Sequence, residues 1–227
     1  MATKVKRAAV LPPGQIRHLL RATEATSRFP ERDAVIILLG FSVGLRITEI
    51  AQITVADALF SHGRLRSEVS LREVVTKGRR QRTVYFTGDK LIDALERYLA
   101  YRVDRGLGAT LDNARYRGLN PDLPLILSRK GYPYSLNRKV RTSAAGEQVD
   151  YWAADSLQAY VTKLYRDAGL KGASSHSGRR SFATRLIARG ATVEEVSLLL
   201  GHRSIDDSLR YIEPNAVIMR RACEEVI

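Results

Sequence analysis

A chain of 227 residues, 44% hydrophobic and 27% charged, is long enough to bury one good core and has an ordinary globular balance. Its formal net charge of +13 points to a polyanionic partner, nucleic acid before an anionic membrane surface, since no apolar run approaches the length of a spanning segment. The single cysteine, Cys223, excludes an internal disulfide framework and any Cys-based zinc site.

The first residues, Met1-Ala-Thr-Lys-Val-Lys-Arg, are basic but lack the apolar segment of a secretion signal, so a cytoplasmic protein is expected. Residues 1–10 read as a basic flexible tail. Pro12-Pro13-Gly14 then opens a helix with Ile16, Leu19 and Leu20 on one face. Ala34 to Gly44 is nearly all apolar and long enough for a central buried helix rather than a strand. It runs into Gly44-Leu45-Arg46-Ile47-Thr48-Glu49-Ile50, where Ile47 and Ile50 continue the core. Taken alone, Arg46 and Glu49, three apart on a helix, read as a surface ion pair worth roughly a few tenths of a kcal/mol.

From Val69 to Phe86 the period becomes strand-like, and two such segments flank Lys77-Gly78-Arg79-Arg80-Gln81, which predicts a hairpin. Its tip, Lys77 to Arg82, holds four cations in six positions; it is either a solvated turn or a finger that contacts phosphate. Asp89 to Arg105 reads as an amphipathic helix with Leu91, Leu95, Tyr98 and Leu99 inward. Gly106 to Pro124 reads as loop, followed by a short strand, Leu125-Ile126-Leu127. Between Arg115 and Glu147 seven Lys/Arg stand against two acids, with Tyr116, Tyr132 and Tyr134 interleaved. Such a loop-rich segment suits a nucleic-acid backbone, a merely solvated loop being the alternative. Asp150 to Ala168 reads as a further helix.

Ser175 to Tyr211 reads as three helices. In the first, Arg179, Phe182, Ala183, Leu186 and Ile187 share one stripe, with His176 on the same side. Two such groups aimed inward at a helix N-terminus are costly unless an anion meets them. The second opens with the capping box Thr192-Val193-Glu194-Glu195, buries Val193, Val196, Leu199 and Leu200, and stops at Gly201. His202 is thereby delivered at a fixed point past a helix end. The third begins at Ser204 with Ile205, Leu209 and Ile212 inward, which leaves Tyr211 off the stripe and presented to something. His18 and His62 read as incidental.

Gly44-Leu45-Arg46-Ile47-Thr48-Glu49-Ile50, the Lys77 hairpin, His176-Ser-Gly-Arg179, Leu200-Gly201-His202 and Tyr211 occur in the order and rough spacing of a known family. Over about residues 11–227 the chain resembles the tyrosine recombinases (phage integrases). The resemblance implies a mainly α fold with a small antiparallel β-sheet or hairpin (α+β). It implies a catalytic domain over 11–213 and a C-terminal helix over 214–227, which either exchanges between subunits or folds back on its own core. The implied activity is site-specific DNA recombination, the chemistry of DNA integration by mobile genetic elements, through a covalent 3′-phosphotyrosyl intermediate.

Attack on a phosphodiester needs a nucleophile, positive charge on the nonbridging oxygens and a proton for the departing 5′-oxygen. By resemblance, Tyr211 is the nucleophile, Arg46 and Arg179 are bidentate forks for the phosphate, and His202 adds a hydrogen bond to it. His176 assists proton transfer at Tyr211, Lys77 is the general acid, and Glu49 stands behind this set. A tyrosine with an intrinsic pKa near about 10 is favoured as its anion in such a cationic pocket. The phosphotyrosyl ester conserves the energy of the broken bond, so no cofactor, neither ATP nor a metal, is expected, and the sequence offers no acidic cluster for a two-metal site.

Double-stranded DNA is the implied partner. A homo-oligomer, a tetramer on DNA, is implied with it, the free protein being either a monomer or already associated, along with an accessory DNA-bending protein and a nucleoid-associated location. Family members usually carry a separate helical core-binding domain ahead of the catalytic domain; this chain starts almost directly at the catalytic core, as a minimal recombinase or a fragment. Two readings remain beside recombination. One is a type IB topoisomerase-like nicking and closing enzyme; the other is a non-catalytic DNA-binding protein on the same fold.

Overall fold

The apolar run ahead of Gly44 forms a helix at the centre of the protein. In the computed structural model, which describes residues 8–73, 81–142, 146–202 and 204, this helix is α2 (Pro30–Ser42). Pro30 in its first turn fixes φ where no backbone N–H is needed, and the whole run from Ala34 to Phe41 is buried. A helix apolar on every side has to be covered on every side. Here the covering comes from α1 (Pro13–Thr26), α5 (Asp89–Asp104) and α7 (Ser177–Ile187). Leu91, Leu95, Tyr98 and Leu99 of α5 and Ile16 and Leu19 of α1 are buried, as their spacing requires.

Among the described residues there are eight α-helices and two two-stranded antiparallel sheets, the mainly α, α+β fold that was expected. Two short helices, α3 (Ile47–Ile50) and α4 (Val55–Ala58), follow α2. The predicted hairpin is β1 (Glu68–Leu71) paired with β2 (Arg82–Tyr85), with Val69 opposite Val84; residues 74–80, Lys77 among them, lie outside the described residues. The remaining helices are α6 (Asp155–Asp167) and α8 (Val193–Leu200). No described helix is long and apolar enough to cross a membrane.

Three expectations need correction. Part of the stretch read as loop forms a second hairpin, β3 (Asn137–Thr142) with β4 (Gln148–Ala153), with Val140 opposite Asp150. Its strand β4 alternates exposed and half-buried residues down to the buried Ala153, and the ladder between its strands defines it. Because Asp150 to Ala153 belong to β4, helix α6 starts at Asp155 rather than Asp150. Leu125-Ile126-Leu127 is buried but is not a strand. Arg102 Nη1 donates to the Pro124 and Leu125 carbonyls at 3.0 and 2.9 Å, and the Leu127 N–H donates to the Tyr98 hydroxyl at 3.2 Å. Thr54 and Pro124 form an isolated antiparallel bridge and the Leu125 N–H donates to the Ile53 carbonyl at 2.7 Å, but the Arg102 and Tyr98 side chains take neighbouring groups and the pairing does not extend into a strand.

The N-terminal expectation also shifts. The Ala9 N–H donates to the Gly172 carbonyl at 3.2 Å, the Leu11 N–H donates to Ser181 Oγ at 2.8 Å, and Arg180 donates to the Ala8 carbonyl at 2.6 Å. Residues 8–10 of the expected tail are therefore held on the folded body; residues 1–7 lie outside the described residues.

Helices α2 and α7 meet through glycine. A Cβ placed on Gly178 would stand 2.9 Å from the carbonyl carbon of Gly40, backbone that cannot turn aside. Gly178→Ala should lower stability by about 2 kcal/mol through overpacking, read as a lower urea midpoint at unchanged slope.

Candidate active site

The site is assembled on the turn that follows α2. Gly44, at φ 72°, takes a left-handed conformation, and a Cβ there would run into the Phe182 ring at 2.5 Å. The turn leaves Arg46 at the N-cap of α3, partly exposed, and carries Glu49 beneath it, fully buried. Glu49 Oε2 accepts the Arg46 N–H at 2.7 Å, and Oε1 accepts Arg46 Nη1 at 2.8 Å.

The surface ion pair that the local spacing suggested is thus a buried one, and a third residue explains why. Arg82, first in β2, donates from Nη1 to Glu49 Oε1 and from Nη2 to Oε2, both at 2.8 Å. Its side chain is 5% exposed. Arg82 therefore belongs neither to a solvated turn nor to an outward finger. Sequence reasoning missed it, although the alternation Arg82, Val84, Phe86 places it on the core face of the strand.

Burial alone would discourage a charge on Glu49. Arg82, then Arg179, then Arg46 outweigh that penalty and hold its pKa down at about 2. Among the described residues, one carboxylate stands amid three guanidinium groups, a surplus of positive charge that suits an anion.

Arg179, in the first turn of α7, points inward as its stripe predicted. Its Nη1 donates to the Gly44 carbonyl at 2.7 Å and its Nη2 to the Leu200 carbonyl at 2.5 Å, so it joins the Arg46 turn to the end of α8. His176 does not follow it. The residues buried at the start of α7 are Ser177, Gly178, Arg179 and Ser181, where Gly178 meets Gly40. His176, at the N-cap, is exposed, its Nδ1 3.3 Å from Ser175 Oγ.

Helix α8 begins with the expected capping box: Thr192 Oγ1 accepts the Glu195 N–H at 3.2 Å, and Glu195 Oε2 accepts the Thr192 N–H at 2.8 Å. Val196 and Leu200 are buried, while Val193 and Leu199, also expected inward, are only half-buried. The helix ends at Gly201 in the left-handed conformation (φ 60°, ψ 52°), and the His202 N–H donates to the Ser197 carbonyl at 3.0 Å. His202 is half-buried at the place the helix end predicts. Tyr211, the third helix and the segment 214–227 lie outside the described residues, as does Lys77. Of the expected set, the structure brings Arg46, Glu49 and Arg179 together with the Leu200–His202 turn, and it adds Arg82.

Glu49→Gln should destabilise the protein by about 3 kcal/mol, because it leaves buried guanidinium groups without their carboxylate. The folded-state pKa is depressed from 4.5 to about 2, so the contribution of Glu49 is complete above pH 4.5 and is lost as pH falls toward 2. Denaturant titrations of both proteins across that window check this: the gap between them should close as the pH drops.

The sequence pattern of the phage integrase family matches residues 9–216. Tyrosine recombinase XerC of Bifidobacterium longum (strain DJO10A) is 29% identical over 181 residues, covering 80% of this chain and 43% of that protein. Tyrosine recombinase XerD of Xanthomonas axonopodis pv. citri (strain 306) is 29% identical over 203 residues, 88% of this chain and 57% of that protein. The chain spans about half the length of the curated relatives it matches. Among solved structures, XerA recombinase has a TM-score of 0.63 at 18% identity, covering 94% of this chain and 63% of that one. The Tn1549 transposon integrase in complex with transposon right end DNA also scores 0.63, at 20% identity, covering 99% of this chain and 68% of that one. At such identities the likeness shows the fold, and the match over residues 9–216 shows the kinship: this chain belongs to the phage integrase family.

Proposed function

We propose that this chain is the catalytic domain of a site-specific recombinase, cleaving and rejoining DNA through a covalent 3′-phosphotyrosyl intermediate. The observation that carries the reading is the convergence of Arg46, Arg82 and Arg179, from three separate parts of the chain, on the buried Glu49 beside the His202 turn. Three arginines around one carboxylate among the described residues, each at the start of its element, suit the charge that grows on a phosphodiester under attack.

In this reading the Tyr211 oxygen attacks the scissile phosphorus, a bond forms to the 3′-phosphate, and the 5′-oxygen leaves with a proton from Lys77. Arg46 and Arg179 neutralise the nonbridging oxygens and His202 donates a further hydrogen bond. Exposed at its cap, His176 is accessible for proton transfer at Tyr211. Religation reverses the step with a new 5′-hydroxyl, and the ester itself stores the energy required. Support comes from the family and from its relatives, named tyrosine recombinases, as well as from neighbours solved on DNA.

Double-stranded DNA is the partner in this reading, a homo-tetramer on DNA is the working assembly, and the segment 214–227 links its subunits. The cytoplasm, at the nucleoid, is where the substrate lies. A topoisomerase-like activity is separated by a supercoiled plasmid without a recombination site, which a recombinase leaves supercoiled.

The test is a suicide duplex nicked beside the cleavage point. Wild type should accumulate a denaturant-resistant protein–DNA adduct, and Tyr211→Phe should form none while keeping its affinity for the duplex. An adduct that persists in Tyr211→Phe sinks the assignment of the nucleophile. Removal of residues 1–10, which include Lys4, Lys6 and Arg7, should weaken DNA binding and lower the salt slope by about 3, one for each cation withdrawn from phosphate.

A further inference from the structure

We infer that Arg82 is a positioning residue for the phosphate-binding end of the site, setting the direction of Arg46 through Glu49 and the place of His202 through Gly201. This inference rests on the recombinase reading above and adds to it a residue outside the expected set.

The bonding at Glu49 is divided evenly. Oε1 accepts Arg46 Nη1 and Arg82 Nη1, and Oε2 accepts the Arg46 N–H and Arg82 Nη2. The two arginines differ in which way they face. Arg46 is 22% exposed and gives Glu49 a single guanidinium nitrogen, whereas Arg82 is 5% exposed and gives it two. Arg46 can therefore reach a ligand at the surface while Arg82 works from behind. With Arg82 taking one lone pair on each oxygen, the carboxylate has no remaining capacity to draw Arg46 into an inward, bidentate pair.

The other end of the contact is at Gly201. The Arg82 stem passes so close under it that a Cβ there would lie 2.8 Å from Arg82 Cδ and 3.3 Å from Nη1. Gly201 lies between Leu200, whose carbonyl accepts Arg179, and His202. Arg82 also opens β2, immediately after the segment that carries Lys77. One side chain thus touches the Arg46 turn and the His202 turn and stands at the base of the Lys77 hairpin. Lysine could not replace it, since one ammonium cannot span both oxygens of Glu49 in a fixed plane.

Arg82→Met and Arg82→Lys, with duplex affinity and the rate of adduct formation on the suicide substrate, test the inference. Duplex affinity should hold, while adduct formation by Arg82→Met should fall about a hundredfold, the scale of an ångström of misplacement at a reacting centre. Arg82→Lys should recover little of it. The second substrate carries a methylphosphonate at the scissile position, which removes the nonbridging charge that Arg46 faces. On it, the deficit of Arg82→Met relative to wild type should shrink by about tenfold.

A deficit of equal size on both substrates means that Arg82 supports the fold in general, and overturns the inference, as does an Arg82→Met rate equal to wild type. Circular dichroism melts set a temperature at which each variant is folded; if Arg82→Met is not folded at any, Arg82→Lys carries the same comparison. Wild type that forms no adduct sinks the recombinase reading, and the Arg82 assignment falls with it. An adduct in wild type with no deficit in the variants sinks the Arg82 assignment alone.

Discussion

A single carboxylate, Glu49, sits out of water and accepts four hydrogen bonds from two arginines, within the field of a third. A charge so placed is tolerable only while its partners stay where they are, because desolvation is repaid solely by close, well-aligned cations. That condition couples elements far apart in sequence: the turn after α2, the base of the first hairpin and, through Arg179, the end of α8. The same condition keeps Arg46 partly at the surface, since Glu49 is already saturated by its neighbours.

The rest of the fold serves this arrangement by holding its parts at fixed distances. Helix α2 is buried all round and ends at the turn that presents Arg46. Helix α7 can approach α2 closely because Gly40 and Gly178 carry no side chains, and the approach brings Arg179 within reach of the Gly44 carbonyl. Gly201 has a comparable part at the end of α8, where a left-handed residue without a Cβ turns the chain toward His202 and clears the Arg82 stem. Close packing and backbone geometry thus do at long range what the capping box at Thr192 does locally.

Away from the site, a second buried ion pair shows how the fold ties its periphery. Asp33 of α2 accepts Arg32, Ser27 Oγ and the Tyr160 hydroxyl of α6, while the Arg32 guanidinium lies 4.8 Å from both the Phe29 and Tyr160 rings. Burial, with Asp33 adjacent, raises the Tyr160 hydroxyl to about 12, so it stays protonated and donates across the neutral range. Both clusters follow one rule: a buried charge is matched by several donors from more than one element.

Much was legible from residue order because the relevant physics is local. The capping box at Thr192, the glycine stop at 201 and the apolar run of α2 depend on neighbours within a few positions, and they appear where the pattern puts them. Motif singles out Arg46, Glu49 and Arg179, and helical period gives the inward direction of Arg179. What the chain alone left undecided involves contacts between distant segments. Whether Glu49 lies at the surface or in the interior depends on Arg82, thirty-three residues away. How closely α7 packs on α2 depends on Gly178 meeting Gly40, and the bridge at Pro124 stops short of a strand where Arg102 takes the Pro124 and Leu125 carbonyls. Short-range pattern specifies what each segment can become; the pairing of buried charges and the close approach of backbones, set only when the helices pack, decide which side chains face one another.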